Sequence, residues 1–271
     1  MESTSSDRQF SGSIAQLYER YLVPLIFEPY AVDIAARVAA RRPARVLELA
    51  AGTGVVTRHL ARSLPAETSI VATDLNPPML AEAAAVGTGR PVEWRHADAN
   101  ALPFADASFD VVVCQFGAMF FDKPRAFGEA RRVLRDGGAF LFNVWDRIAD
   151  NEFADAVTDA VATLFPDDPP RFLARTPHGY HRPDAIASDL AQGGFVRTPE
   201  VVTLAARSRA SGPDVPAIAY CQGTPLRAEI EARAAGRLVE ATEVAEAAVA
   251  ARFGTGPVDG KIQALVVGVA R

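Results

Sequence analysis

Short apolar segments alternate with helical patterns between residues 45 and 145, and this alternation restricts the fold more than any other feature of the chain. Each apolar segment has the length of one buried strand, and helical patterns follow the first, second and fourth of them. Strands that alternate with helices form right-handed crossovers within one parallel sheet. The alternation therefore predicts an α/β fold. The five strands are expected at 45–50, 69–74, 92–96, 109–114 and 139–145.

The segments on either side of this core predict additions to a single domain. A chain of 271 residues is long for one minimal domain and short for two. Apolar residues recur at helical spacing over 13–42, and Pro24 and Pro29 are expected to interrupt that helix. We expect an N-terminal helical cover at 1–43, with disorder over its first residues, 1–10, and one domain at 44–271. This domain should contain a sixth strand at 195–207, flanked by insertions at 147–182 and 208–256, and a last strand at 262–270.

A glycine turn follows the first strand and precedes a helix. Gly52 and Gly54 let the backbone turn sharply and let a ligand approach where a Cβ would obstruct it. A dinucleotide and S-adenosylmethionine (SAM) both fit such a turn. The dinucleotide pattern G-x-G-x-x-G/A has Thr57 in its sixth place here, which disfavours a dinucleotide. An NAD(P)-dependent oxidoreductase would also need a Tyr-x-x-x-Lys or similar site, and the sequence shows none.

Three carboxylates lie at or just after the carboxyl ends of the first three strands. Glu48 would repel a pyrophosphate but suits the ammonium and sulfonium of SAM, although it could also simply cap the turn. Asp74 can accept both hydroxyls of a ribose, which supports a nucleoside of either kind. Asp98 can accept the adenine amino group while Ala99 offers its backbone N–H, the alternative being an ordinary loop aspartate. Together they favour SAM over a dinucleotide.

Five further matches occur in order along the chain, at 46–54, 74–79, 98–104, 109–114 and 127–138. Together they resemble the class I SAM-dependent methyltransferases. They look most like the type 11 group, which includes the ubiquinone/menaquinone-biosynthesis methyltransferases, although the stretches specific to those enzymes are missing. The resemblance covers about 44–146. It implies a Rossmann-like seven-stranded mixed sheet of order 3-2-1-4-5-7-6 with the last strand antiparallel and helices on both faces, SAM as cofactor, and S-adenosylhomocysteine as product.

The resemblance also implies roles for individual residues. Tyr18 and Tyr21 would close over the cofactor from the N-terminal helix, unless they only pack there. In the core, the methionine part of SAM would lie against Ala50, Gly52 and Gly54, beside Glu48, and its end would meet Gln115. Asp74 would hold the ribose. The adenine would contact Leu75 and Met79, its edge would be bound by Asp98 and Ala99, and Phe116 would face the acceptor.

The sulfonium of SAM is already activated, so catalysis by in-line displacement needs mainly positioning, and a base only for some acceptors. His178 and His181 are the candidate bases, because histidine titrates near neutral pH; a structural role is the alternative. No histidine spacing predicts a metal site. The apolar run Met119-Phe120-Phe121 after the fourth strand suggests a closed, apolar pocket. The predicted acceptor is an O, N or C atom of a small or medium-sized molecule.

Composition and charge limit the binding partners and the cellular compartment that we expect. The net charge of -5 argues against nucleic acid. Cys114 and Cys221 fit no metal or redox motif, which favours a reducing cytoplasm. No segment approaches the roughly 20 apolar residues of a membrane span. A homodimer would form through the helices of 208–256. A protein that binds SAM without turnover is the remaining alternative to an enzyme.

Overall fold

The computed structural model describes residues 14–271, so the prediction of disorder at 1–10 lies outside the described part. Seven strands form one sheet in the order β3-β2-β1-β4-β5-β7-β6. This order is the predicted one. The strands are β1 Arg45–Leu49, β2 Ser69–Asp74, β3 Glu93–His96, β4 Phe109–Gln115, β5 Leu134–Trp145, β6 Glu200–Ala210 and β7 Val258–Ala270.

The central strands are parallel and buried. Val46 of β1 is in register with Ile70 of β2 on one side and with Val111 of β4 on the other. Strands buried on both faces are nearly continuous apolar runs, which is why the sequence marks them so clearly. The carboxyl ends of β1, β2 and β4 therefore meet at one edge of the sheet.

The last strand runs antiparallel to β5. The N–H of Arg271 donates to the carbonyl of Gly138 at 3.0 Å, and the N–H of Asp146 donates to the carbonyl of Gln263 at 3.1 Å. Residue numbers thus rise along one strand as they fall along the other. The predicted mixed sheet is confirmed.

The start of β5 differs from the prediction. The sequence Asp136-Gly137-Gly138 suggests a turn before a strand at 139–145, but the structure includes it in β5 as a β-bulge. Gly137 has a φ of 80°, and a Cβ on Gly138 would lie 2.8 Å from the carbonyl oxygen of Asp110. The glycines are needed because the backbone of a bulge bends sharply toward its neighbour.

Helices lie between most of the described strands. The helical patterns predicted after the first, second and fourth strands are helices in the structure. The helices are α1 Ile14–Leu17, a π-helix Tyr18–Phe27, α2 Glu28–Ala40, α3 Val55–Ser63, α4 Pro77–Val86, α5 Lys123–Val133, α6 Glu152–Ala162, α7 Phe172–Arg175, α8 Pro183–Gln192, α9 Asp214–Gln222, α10 Leu226–Arg233 and α11 Leu238–Phe253, with 3₁₀ turns at Ala118–Phe120 and Ile148–Asp150.

The predicted interruption at Pro24 and Pro29 is wrong. Helix continues through both prolines because the segment Tyr18–Phe27 adopts the wider π geometry, in which the N–H of Glu28 donates to the carbonyl of Val23. A π segment already departs from the α pattern, so the missing N–H of Pro24 does not end the helix.

The chain divides into two compact units. One contains residues 14–28, 145–179 and 205–263, and in it α11 packs on α6 and α9. The other contains residues 29–144, 180–204 and 264–271, and its core includes Phe127, Phe140 and Phe142, with ring centroids 4.8–5.6 Å apart. Within 14–271 no helix combines the length and the apolar character that a membrane crossing needs.

Candidate active site

The glycine turn after β1 adopts a conformation that side chains disfavour. Gly52 and Gly54 have φ values of 57° and 83°. A Cβ on Gly54 would lie 2.8 Å from the indole of Trp94. The turn is closed by a hydrogen bond from the N–H of Gly54 to the carbonyl of Ala51 at 2.9 Å. The positive φ favours glycine at both positions, and the close approach of Trp94 requires it at Gly54, from which α3 begins directly.

Strained backbone marks the ends of two neighbouring strands. Ala50 after β1 has a φ of 51°, and Phe116 after β4 has a φ of 52°. Leu49 and Cys114, near the ends of these strands, are in register. Each such conformation costs about 1–3 kcal/mol and persists where the surroundings impose it, as at ligand sites. Ligands of doubly wound sheets bind at this edge, outside the carboxyl ends of the strands.

Asp74 connects the end of β2 to the glycine turn. Its Oδ2 accepts the N–H of Gly52 at 2.8 Å, and its Oδ1 accepts the N–H of Asn76 at 2.7 Å. The side-chain amide of Asn76 also donates to Oδ1, at 3.3 Å, so Asn76 does not cap α4 with its side chain. Burial raises the pKa of Asp74, and these hydrogen bonds oppose that shift. The carboxylate is held in one orientation. Oδ1 accepts two hydrogen bonds from Asn76, whereas Oδ2 accepts only that of Gly52 among these and keeps a lone pair for a ligand.

Glu48 lies under the same turn. Its side chain is only 1% exposed, and its Oε2 accepts a 2.6 Å hydrogen bond from the hydroxyl of Thr57. Burial raises the pKa of Glu48 to about 8, although the Thr57 hydrogen bond lowers it. The structure therefore gives a reason for threonine at position 57, because the buried carboxyl group of Glu48 requires a hydrogen-bond donor and the Thr57 hydroxyl supplies it.

Asn143 on β5 positions the residues after β4, and the sequence analysis missed it. It is fully buried, and its backbone carbonyl and side-chain Oδ1 both accept the N–H of Phe116 at 3.1 Å. Its amide donates to Oε1 of Gln115 at 3.4 Å. The signal was present, because Asn143 is the one amide in the apolar run 139–145.

Gly117 is a second residue that the sequence analysis missed. A Cβ at this position would lie 2.5 Å from the Cβ of Ala50 and 2.8 Å from Sγ of Cys114. The backbone after β4 therefore approaches the end of β1 more closely than any side chain would allow. This contact places the two strained residues side by side.

The loop after β3 carries Asp98 and Ala99. Asp98 is exposed, and its Oδ1 accepts two hydrogen bonds of 2.8 Å from Asn100, while Ala99 is 9% exposed. Met79 on α4 is buried, and Leu75 is 42% exposed. These four residues and the residues of the turn all belong to the unit that contains 29–144.

The remaining predicted residues lie mostly in the other unit. There, Tyr18 stacks on Phe27 at 5.0 Å, and the guanidinium of Arg20 lies 5.1 Å from the ring centroid of Tyr21. His178 is 5% exposed and donates from Nδ1 to the carbonyl of Asp146 at 2.8 Å.

His181 is half-buried and belongs to the unit of the glycine turn. The roles of the two tyrosines and the two histidines toward a ligand stay predictions. Among residues 14–271, no group of three or more His, Cys, Asp and Glu side chains is placed to hold a metal ion.

Comparison with known proteins identifies the family. A model described as "Methyltransferase domain" matches residues 47–142. A demethylmenaquinone methyltransferase of Thermus thermophilus is 33% identical over 187 residues, which cover 64% of this chain and 82% of that protein. A ubiquinone/menaquinone biosynthesis C-methyltransferase of Hahella chejuensis is 40% identical over 106 residues, 37% of this chain and 43% of its own length.

Among solved structures, the YcgJ protein of Bacillus subtilis shares the fold, with a TM-score of 0.57 at 18% identity over 90% of this chain and 99% of that one. The chain belongs to the class I SAM-dependent methyltransferases. It is an enzyme that uses SAM as its cofactor to methylate a small molecule. The oxidoreductase and the protein without turnover are not favoured.

Proposed function

We propose that the carboxyl ends of β1, β2 and β4 hold SAM, and that its methyl group passes to an O, N or C atom of a small or medium-sized, largely apolar molecule. The observation that carries the proposal is the fixed carboxylate of Asp74. The Gly52 N–H and the Asn76 N–H orient its two oxygens beside the glycine turn. There Oδ2 can accept a further hydrogen bond, as a ribose hydroxyl would donate.

The neighbouring residues fit the rest of the cofactor. Two carboxyl groups, Glu48 and Asp74, lie by a turn where only glycine avoids a clash, which suits a nucleoside that carries positive charge. The exposed carboxylate of Asp98 and the backbone of Ala99 suit the adenine edge, and Met79 offers an apolar surface. When bound, SAM supplies a methyl group that the sulfonium already activates. The main contribution of the protein to catalysis is therefore to align the acceptor atom with that methyl group.

The acceptor side of the site follows β4. Met119 is buried, whereas Phe120 and Phe121 are half-buried. The ammonium of Lys123 donates to the carbonyls of Met119 and Phe121 at 3.3 and 3.2 Å, and it lies 4.7 Å from the ring centroid of Tyr180. We infer that Lys123 holds this apolar segment in shape against the acceptor.

The base, if an acceptor needs one, is proposed to be His178 or His181. His178 commits Nδ1 to the carbonyl of Asp146, which would leave Nε2 as the basic nitrogen. Variants with glutamine at each position separate the two candidates. Loss of methyl transfer with unchanged SAM affinity would identify the base.

The test is a calorimetric titration with SAM and with NADH, followed by a screen for release of S-adenosylhomocysteine over a panel of acceptors. The Thermus relative is named for demethylmenaquinone, so demethylated quinones enter the panel beside phenols, amines and carboxylic acids. Binding of SAM with turnover of one class supports the proposal. No binding at about millimolar SAM, an affinity worth only about 4 kcal/mol, contradicts it.

The proposed setting is the cytoplasm, without a nucleic-acid partner. Its support is the net charge of -5 and two buried cysteines, Cys114 and Cys221, that form no disulfide. Any homodimer is proposed to use the helices of 208–256, where Val239 on α11 is 65% exposed. Sedimentation of the wild type and of Val239→Lys, the latter remaining monomeric, tests that surface.

A further inference from the structure

Glu48 is a buried carboxyl group whose hydrogen bond comes from an uncharged hydroxyl. It makes no ion pair within the described range, and Thr57 on α3 supplies its hydrogen bond. Thr57 is itself fully buried, so water does not replace this contact. A carboxylate removed from water without a counter-charge is strongly disfavoured, and the neutral acid is then the stable form.

The charged and titratable groups around Glu48 do not change this conclusion. Arg58 on α3 favours the carboxylate, but one of its guanidinium nitrogens donates to the carbonyl of Thr53 at 2.7 Å. Asp74 at the end of β2 opposes ionisation. Cys114 on β4 contributes no charge, since burial raises the pKa of its thiol to about 12.

We propose that Glu48, held by Thr57, is a proton-linked sensor of cofactor charge, neutral in the free protein and ionised, with its proton released to solvent, when SAM is bound. The inference rests on the proposed function, which places the methionine part of SAM beside the turn. Thr57 acts as a positioning residue, because its hydroxyl fixes the carboxyl group and stabilises the ionised form.

The two forms of the cofactor differ in charge. Both carry the ammonium of the methionine part, but SAM also carries a sulfonium, whereas S-adenosylhomocysteine carries an uncharged thioether in its place. A nearby positive charge lowers the pKa of a carboxyl group, and that of Glu48 starts at about 8 in the free protein. Binding of SAM should therefore tighten with rising pH, by up to about tenfold per pH unit between roughly pH 6 and pH 8. Binding of the product, which keeps the ammonium but lacks the sulfonium, should change less.

The experiment is calorimetric titration at about pH 7 in two buffers with different ionisation enthalpies. The wild type should release nearly one proton, about 0.9, per SAM bound, and fewer per S-adenosylhomocysteine. Glu48→Gln keeps the shape and accepts the Thr57 hydrogen bond, but it should release none. Glu67→Gln, an exposed glutamate before β2, is the matched control and should behave as the wild type.

Thr57 gives a second set of variants. Thr57→Val removes the hydroxyl at constant volume, so the pH at which SAM affinity levels off should move upward. Thr57→Ser should restore the wild-type profile. A merely structural residue would lower affinity equally at every pH.

Three results would overturn the inference. Proton release that persists in Glu48→Gln would assign it to another group, such as Asp74. Equal release with SAM and with the product would remove the link to the sulfonium. A wild-type SAM affinity that is independent of pH, which needs no variant to measure, would exclude the linkage altogether. Failure to bind SAM at any pH would instead contradict the proposed function.

Discussion

At the scale of single residues, the carboxylate of Asp74 joins the glycine turn to the end of β2. Asp74→Asn keeps an oxygen for the N–H of Gly52 but loses the charge and one acceptor. A hydrogen bond to a charged group is worth about 1.5–3 kcal/mol, so SAM affinity should fall roughly 10- to 100-fold in calorimetry. Asp136→Asn, at a fully exposed side chain, should have no effect. An unchanged affinity in Asp74→Asn would place the ribose contact elsewhere.

Gly117 supports a second prediction at this scale. In Gly117→Ala the new methyl group would meet Ala50 and Cys114 at 2.5 and 2.8 Å, so the backbone after β4 must move. Overpacking of this kind costs about 1–3 kcal/mol, and it should also weaken SAM binding because Phe116 moves with the loop. Urea unfolding and calorimetry measure the two effects. Gly256→Ala, where the added Cβ meets nothing within 4 Å, should leave both nearly unchanged.

The sequence identifies some site residues and misses others for a physical reason. Gly52, Gly54 and Asp74 follow from the local demands of a strand, a turn and a helix. Gly117 and Asn143 depend on partners from other strands, which only the folded sheet brings within reach.

At the scale of elements, α5 holds the loop that carries Asp98. The guanidinium of Arg132 donates to the carbonyls of Leu102 and Phe104 at 2.9 and 2.7 Å, and Glu129 accepts the N–H of Leu102 at 2.7 Å. Arg132→Met removes the two hydrogen bonds of the guanidinium to these carbonyls but keeps the apolar stem. It should destabilise the protein by about 2–3 kcal/mol and speed amide exchange over the loop.

The control for this prediction lies on the same helix. Arg125 is exposed, and Arg125→Met should leave the free energy of unfolding and the exchange of residues 98–106 unchanged. Equal exchange rates in wild type and Arg132→Met would show that the loop keeps its conformation without α5.

Elements could be predicted wherever local pattern and tertiary environment agree. The parallel strands and α4 satisfy that condition. The π-helix Tyr18–Phe27 and the bulge at the start of β5 do not. A proline at position 24 locally disfavours helix, and Gly137-Gly138 locally favours a turn, yet packing overrides both preferences.

At the scale of the whole molecule, the buried acid Glu48 makes stability depend on pH. Its pKa is about 8 in the folded protein, against an ordinary value of 4.5. Between these values the folded state holds more protons than the unfolded state, so rising pH destabilises the fold, by up to about 1.4 kcal/mol per pH unit. The stabilisation is fully present below about pH 4.5 and is lost as pH rises through the folded pKa near 8.

Glu48→Gln cannot ionise, so it should lack this dependence. Every other group titrates in both proteins, so its effect cancels when the two are compared. We therefore expect the stability of Glu48→Gln relative to the wild type, measured as the difference in free energy of unfolding, to rise by roughly 3–5 kcal/mol from about pH 4.5 to pH 8. Urea unfolding followed by the fluorescence of Trp94 and Trp145 measures both proteins at each pH. Glu67→Gln should track the wild type throughout. If the wild-type and Glu48→Gln curves run parallel, Glu48 is already ionised in the folded protein.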